Sequence, residues 1–396
     1  MILQFDMYQT VAIAVLVWAL GVFLKKQFKF LDTFCIPAPV VGGVIFSLLV
    51  TIFKDIAFKE ISFDGTLQMF FMMIFFTTIG FTANIRLLKK GGIQVVTFLG
   101  VASLLVVLQN SLGISIGKLF DLNPLISLSA SSVPMVGGHG TSGAFGPLFE
   151  SFGATGATTV AMASATFGLV MGSLIGGPIA RRRINMYNLH SDKEDLELSL
   201  DHGNTEVKPL SKDDMLIGFA QIFLALGVGT IMSKILGMTG MAFPVYIGSM
   251  FGAAIIKNLA EYSGKFATRD EEIGIIGDIM LTFFLVMALM TLKLWQLADL
   301  ALPLITILAG QTVLTAAVAY FICFRVMGSD YEAAVMSAGM CGFGMGATPN
   351  AMANMNALAH KFGPAPRAFF ILPIVGSLFI DFVNASMITF FMNVFK

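Results

Sequence analysis

Charge is scarce in this chain. It has 24 basic and 24 acidic residues, 12% of its 396 positions, where soluble proteins carry about a quarter. With 56% hydrophobic residues and a mean hydropathy of +0.84, that scarcity excludes an ordinary water-soluble domain and marks an integral membrane protein. Cysteine is nearly absent too: Cys35, Cys323 and Cys341 sit in or beside apolar segments without CxxC or Cys/His spacing. A disulfide framework and a zinc site are thereby excluded. Four histidines, with no close His–carboxylate motif, leave an enzyme without a nucleophile–base pair or metal cluster, so no catalytic residue and no organic cofactor is expected. The net charge is zero and no basic face stands out, which removes nucleic acid from the list of partners. The start lacks both a basic segment before its apolar run and a small-residue cleavage site after it, so it reads as a first transmembrane helix and not a signal peptide.

Long apolar runs are plentiful. They lie near 7–24, 36–53, 66–85, 93–117 and 158–180, and again near 215–236, 243–259, 273–292, 302–324 and 368–392. Each is close to the length of about 20 residues that spans a bilayer. Between the two sets of five, residues 181–213 hold 13 of the chain's charged residues and no apolar periodicity, as a solvated linker would. The halves also match at an offset that drifts only between 205 and 210 residues: APVVGG (38–43) with FPVYIG (243–248), FDLNPLISLSASS (120–132) with SDYEAAVMSAGMC (329–341), and Phe-Gly at 152–153 with 362–363. This is the mark of an internal duplication.

Two stretches, 123–150 and 332–360, fall outside the ten runs at matching places. If each returns to its own side as a re-entrant hairpin and the N-terminus is outside, 18 Lys and Arg lie inside and six outside; counted as single crossings, the split scrambles to 10 against 14. The positive-inside rule therefore favours hairpins. Five spans per half invert the second repeat. The expected fold is an all-α integral membrane protein with two inverted-topology repeats, 1–180 and 214–396, joined by a cytoplasmic linker at 181–213, with a Gly-rich re-entrant hairpin before each repeat's last helix.

Non-helical backbone survives at membrane depth only against protein or a watery cavity, because unpaired N–H and C=O groups are costly in lipid. In the first hairpin the candidates are Gly137, Gly138, His139, Gly140, Thr141 and Ser142; in the second they are Gly344, Gly346, Thr348 and Asn350. Bare N–H groups at the glycines and a following half-helix suit an anion, and the hydroxyl and amide side chains add directed polar contacts. Turn carbonyls suit a hard cation such as sodium. Asp381 and Asn384 share a face of the final span, and a carboxylate there is expensive unless a cation meets it. Asp381 is a candidate for sodium or for a substrate ammonium. Asn84, Asp278, Asn354 and Asn384 complete the candidate sodium ligands, with Asn356 an alternative to Asn354. Gln109 and Asn110, in mid-span, read as polar links between helices.

VGGHGTSGAFG (136–146), CGFGMGATPNAMANM (341–355), CIPAPVVGG (35–43), FTTIGFTANI (76–85) and LMTLKLWQLADLALP (289–303) together resemble the bacterial glutamate:sodium symporter family over essentially the whole chain. The resemblance implies sodium-driven uptake of L-glutamate, with Na+ as coupling ion. It also implies a homodimer in the bacterial cytoplasmic (inner) membrane whose transport domains move as an elevator against a fixed scaffold. The charge count adds both termini on the outside. A sodium-coupled carrier of another carboxylate or dicarboxylate anion is the alternative. A channel ranks below both, because pore loops entering from opposite faces of one subunit suit alternating access.

Overall fold

The computed structural model describes residues 2–33, 36–53, 60–85, 92–191, 211–238, 243–264, 266–297 and 300–396. Cys35, the linker from 192 to 210 with Lys193 and Lys208, and Lys54, Lys59, Arg86, Lys89, Lys90 and Lys265 lie outside these residues.

The chain is dominated by helices. The first half runs α1 (Met7–Gln27), α2 (Lys29–Thr33), α3 (Ala38–Phe53), α4 (Thr66–Thr82), α5 (Gly92–Leu119), the short α6 (Pro124–Leu128) and α7 (Ser132–Met135), α8 (Gly138–Ser151) and α9 (Ala157–Tyr187). The second half runs α10 (Lys212–Gly237), α11 (Val245–Ser263), α12 (Asp270–Met290), α13 (Ala301–Val326, with a π-turn at Val318–Cys323), α14 (Tyr331–Met345), α15 (Thr348–Phe362), α16 (Pro366–Ile374) and, past a π-turn at Val375–Phe379, α17 (Ile380–Phe395). Among the described residues α1, α5, α9, α10, α12 and α13 are long and apolar enough to cross a bilayer, and α3, α4 and α17 are shorter apolar helices. The protein is a multi-pass, α-helical membrane protein.

Local chemistry sets the ends. Asp6 caps α1 by accepting from the backbone N–H of Tyr8 and Gln9, while Gln9 accepts from the Asp6 N–H, a reciprocal capping box. Asn123 caps α6 ahead of Pro124, whose missing N–H costs nothing at a first helical position. Asp330 accepts from the Ala333 N–H at 2.7 Å to start α14, and Arg367 grips both carboxylate oxygens of Asp330 at 2.7 Å, tying α14 to α16. α9 ends on Asn188 in the left-handed conformation, beyond Arg181–Arg183. Those arginines therefore lie on the helix and not in a linker beginning at 181, because Arg183 is buried against α13: its guanidinium stacks 3.7 Å from the Tyr320 ring and donates to the Tyr320 carbonyl at 2.7 Å.

Among the described residues the one sheet is a parallel pair of strands, β1 (Ile2–Phe5) with β2 (Glu60–Phe63), with Phe5 stacked on Phe63 at 5.4 Å. It holds the N-terminus beside the segment that precedes α4.

Helices approach each other through glycine. A Cβ on Gly21 would lie 2.0 Å from the Ala38 carbonyl and one on Gly42 2.0 Å from that of Val17, so α1 and α3 touch backbone to backbone. At positions 208 and 206 residues later, Gly229 and Gly248 do the same for α10 and α11: the added Cβ atoms would lie 2.3 Å from Ser249 Cα and 2.1 Å from Ser233 Oγ. The centre is built on α9, whose Gly168, Gly172 and Gly176 lie against α14 and α15, with the Met345 carbonyl 2.0 Å from a Cβ on Gly168. Small residues at four-residue spacing are what permit such close packing. The largest core cluster surrounds it, with Phe98, Leu105, Val106, Met336, Met340, Phe343 and Met355 all at most 2% exposed.

Candidate functional site

The first hairpin is broken twice. α6 ends at Leu128 and α7 begins at Ser132; then Gly138, with φ of +60°, turns the chain into α8. That conformation is nearly free for glycine and strained for residues with a Cβ. Behind the turn, Ser142 donates to the Gly138 carbonyl at 2.7 Å and also approaches the Ala161 carbonyl of α9 at 3.3 Å. His139 is buried, with Nε2 3.0 Å from Thr166 Oγ1 of α9. A Cβ on Gly137 would collide with the Thr141 hydroxyl at 2.4 Å, and one on Gly140 would press on the Phe75 ring at 3.0 Å.

The second hairpin turns between α14 and α15. Gly346 follows the end of α14 with φ of −155° and ψ of −91°, and its neighbours leave no room for a side chain. A Cβ would meet Asn350 Nδ2 at 3.0 Å, the Gly342 carbonyl at 3.1 Å and Leu169 Cα at 3.2 Å. Thr348 donates to the Gly376 carbonyl at 2.9 Å, within the π-turn, and Asn350 to the Leu169 carbonyl at 2.7 Å. The Gly344 carbonyl accepts from Gln109 Nε2 at 2.8 Å.

The two tips abut: a Cβ on Gly138 would lie 3.1 Å from the Gly346 carbonyl. Residues more than 200 positions apart, each chosen for its glycines, thus meet inside the protein. Around this contact lies a belt of buried amides. Gln109 of α5 also reaches Thr315 Oγ1 at 3.3 Å, and Gln311 of α13 donates to the Gln109 carbonyl at 2.8 Å. Asn110 accepts from the Ser132 N–H and Asn384 donates to the Ser132 carbonyl, both at 3.2 Å.

Two cavities flank the antiparallel pair α4 and α12, in which Phe71 meets Phe283 and Thr78 meets Gly277. One, of about 300 Å³, is lined by Phe75, Thr78, Thr82, Asn84, Lys257 and Asp278 among others; the other, of about 260 Å³, is lined at the opposite end of the pair by Gln68, Glu150, Thr155, Thr158, Thr291 and Lys293. Between them α8 is wedged against aromatic side chains: Phe75 at Gly140, and Phe284 2.6 Å from a Cβ placed on Gly143.

The five candidate sodium ligands separate into three places. Asn84 and Asp278 line the first cavity together. Asn354 donates to the carbonyls of Gly172 at 2.9 Å and Ala338 at 3.2 Å, fastening α15 to α9 and α14. Asp381 is half-buried on the first turn of α17, and Asn384 lies one turn further on. Gln109 and Asn110 do link helices. Sequence spacing gave no sign of Gln311 or Ser132 as partners of this belt, since Gln109 and Gln311 lie 202 residues apart.

Buried polar turns that meet inside a helical membrane protein, beside cavities at either end of the α4–α12 pair, are features a solute carrier requires. The chain belongs to the sodium/glutamate symporter family, whose model it matches over residues 3–364. It is 40% identical to the sodium/glutamate symporter of Haemophilus influenzae over 97% of this chain and 96% of that one. It is 41% identical to the sodium/glutamate symporter of Escherichia coli (strain K12) over 98% and 97%.

Proposed function

We propose that this protein imports L-glutamate across the bacterial cytoplasmic membrane, driven by an inward Na+ gradient, through alternating access of an elevator-like transport domain. The observation that carries this reading is the contact of the two hairpin tips, Gly138 against Gly346, between cavities at opposite ends of the α4–α12 pair. A site on such a contact can be presented to either cavity when the body carrying the hairpins slides past the helices that line them. The substrate carboxylates bind at the Gly137–Ser142 and Gly344–Asn350 turns, and Asp381 holds a cation, either Na+ or the substrate ammonium.

Two inverted five-span repeats underlie this movement. In support, the glycine contacts Gly21/Gly42 and Gly229/Gly248 recur at the repeat's own spacing. Both termini face outside and the linker faces the cytoplasm; the β1–β2 pairing supports one side for the N-terminus and the segment before α4. The working unit is a homodimer, as expected for the family.

Uptake of radiolabelled glutamate into proteoliposomes, with and without an inward Na+ gradient, tests the reading. Accumulation only with the gradient is expected; equal uptake under both conditions overturns sodium coupling. Counterflow with other dicarboxylates decides the alternative substrate class, and absence of counterflow with flux above carrier rates would point to a channel.

A further inference from the structure

Among the described residues four buried side-chain amide oxygens have no hydrogen-bond partner: Gln109 Oε1, Gln311 Oε1, Asn350 Oδ1 and Asn384 Oδ1. Three belong to the belt, and Asn350 lies in the first turn of α15. Buried acceptors are normally satisfied, since leaving one bare costs its full desolvation. Bare oxygens near the two turns can be met by something that supplies positive charge or protons.

Asn384 is the most constrained. Its Nδ2 is engaged with the Ser132 carbonyl, so Oδ1 is directed away from that bond, and the Ser132 hydroxyl beside it is also buried and unpartnered. Ser132 opens α7 after the break at Ser129–Ser131. Two residues before it, the Ala130 carbonyl has no helical donor four positions on, because that residue is Pro134, which lacks an N–H. Ser132 and Asn384, joined through the Ser132 carbonyl, thus each carry a buried oxygen without a partner beside a helix break, and unwound carbonyls at such breaks serve hard monovalent cations. Asp381 lies one turn before Asn384 on the same helix. No group of three or more His, Cys, Asp or Glu able to hold a metal lies among the described residues, so a multivalent ion lacks charged ligands that a monovalent one does not require. Asn110 does not ligate: its oxygen is committed to the Ser132 N–H, and its free Nδ2 is a donor, so it positions the loop.

We infer that Ser132 Oγ, Asn384 Oδ1 and the Ala130 carbonyl form a Na+ site at the break of the first hairpin, next to the substrate turns. The inference rests on the sodium-coupled reading above and replaces its dispersed set of ligands with one location. Filling the site stiffens the arm that carries Gly138, so Na+ organises the turn that receives the anion.

The test is binding, measured apart from transport. Thermal unfolding of the purified full chain in detergent is followed while NaCl replaces choline chloride at constant ionic strength. Saturable, Na+-specific stabilisation of the wild type is expected, and Ser132→Ala and Asn384→Ala should each raise the half-saturating Na+ concentration by about 10-fold or more. Ser132→Ala keeps both backbone bonds of residue 132, so it decides the matter if Asn384→Ala fails to fold. Folded variants with wild-type Na+ dependence overturn the site and assign the orphaned oxygens to water, while leaving sodium coupling standing. A wild type that shows neither Na+-specific stabilisation nor gradient-dependent uptake removes the transport reading and this site with it.

Discussion

At the residue scale, the two tip glycines are required for different reasons. Gly138 has a positive φ, whereas Gly346 is hemmed in by Asn350, Gly342 and Leu169. Gly138→Val forces a β-branched residue into the left-handed region, and Gly346→Val drives a branched side chain into backbone. Both variants should insert in the membrane at normal levels and lose glutamate uptake; wild-type rates at equal expression would remove the turn concerned from the binding site. Asp381→Asn preserves shape and removes charge. If the carboxylate holds Na+, apparent Na+ affinity falls; if it holds the ammonium, glutamate affinity falls at saturating Na+. A two-dimensional titration of uptake separates these outcomes, and unchanged dependence on both ligands makes Asp381 structural. At equilibrium each ligand must raise the other's affinity by the same factor.

At the scale of elements, α9 decides how closely the second hairpin can sit. Gly168→Ala places a methyl group where the Met345 carbonyl would be 2.0 Å away. Two backbones cannot rotate aside as a side chain can, so the helices must separate, at a cost of at least about 1–3 kcal/mol for overpacking. A lowered unfolding temperature in detergent checks this, and an unaltered one would show that α14 has slack. Arg183 poses the complementary case of a buried charge holding α9 to α13. Its bond to the Tyr320 carbonyl falls within the π-turn Val318–Cys323, where the regular helical pattern is interrupted. Arg183→Ala should cost about 1.5–3 kcal/mol for the lost charged hydrogen bond. Lysine should not rescue it, because an ammonium has neither the planar stacking surface nor the fork. Full rescue by lysine in the same unfolding assay would mean that charge alone matters.

At the scale of the whole molecule, the 18 to 6 division of basic residues predicts an orientation that can be read from outside the cell. Cysteines placed at exposed Ser62 in β2 and exposed His190 after α9 give opposite expectations. An impermeant thiol reagent on whole cells should modify the first and spare the second. The reverse pattern would invert the topology.

Much of this protein is legible along the chain because lipid imposes one-dimensional rules. A span needs a long apolar run, a break in it needs protein or water around it, and basic residues collect on one side. The helices α1, α5, α9, α10, α12 and α13 follow from those rules, and so do the two Gly-rich turns as places where polar backbone must be sheltered. Pairing was decided only in three dimensions. Sequence spacing says that Asn84, Asp278, Asn354, Asp381 and Asn384 are polar residues near apolar helices; it cannot say that the first two share a cavity, that Asn354 is spent on the Gly172 and Ala338 carbonyls, or that Asn384 faces Ser132. Those outcomes depend on how helices rotate against each other when glycines bring their backbones together, and rotation is set by contacts between residues hundreds of positions apart. The strand pair escaped for the same reason: four-residue segments carry too little periodicity to announce themselves, and Ile2–Phe5 becomes a strand only where Glu60–Phe63 offers its free edge.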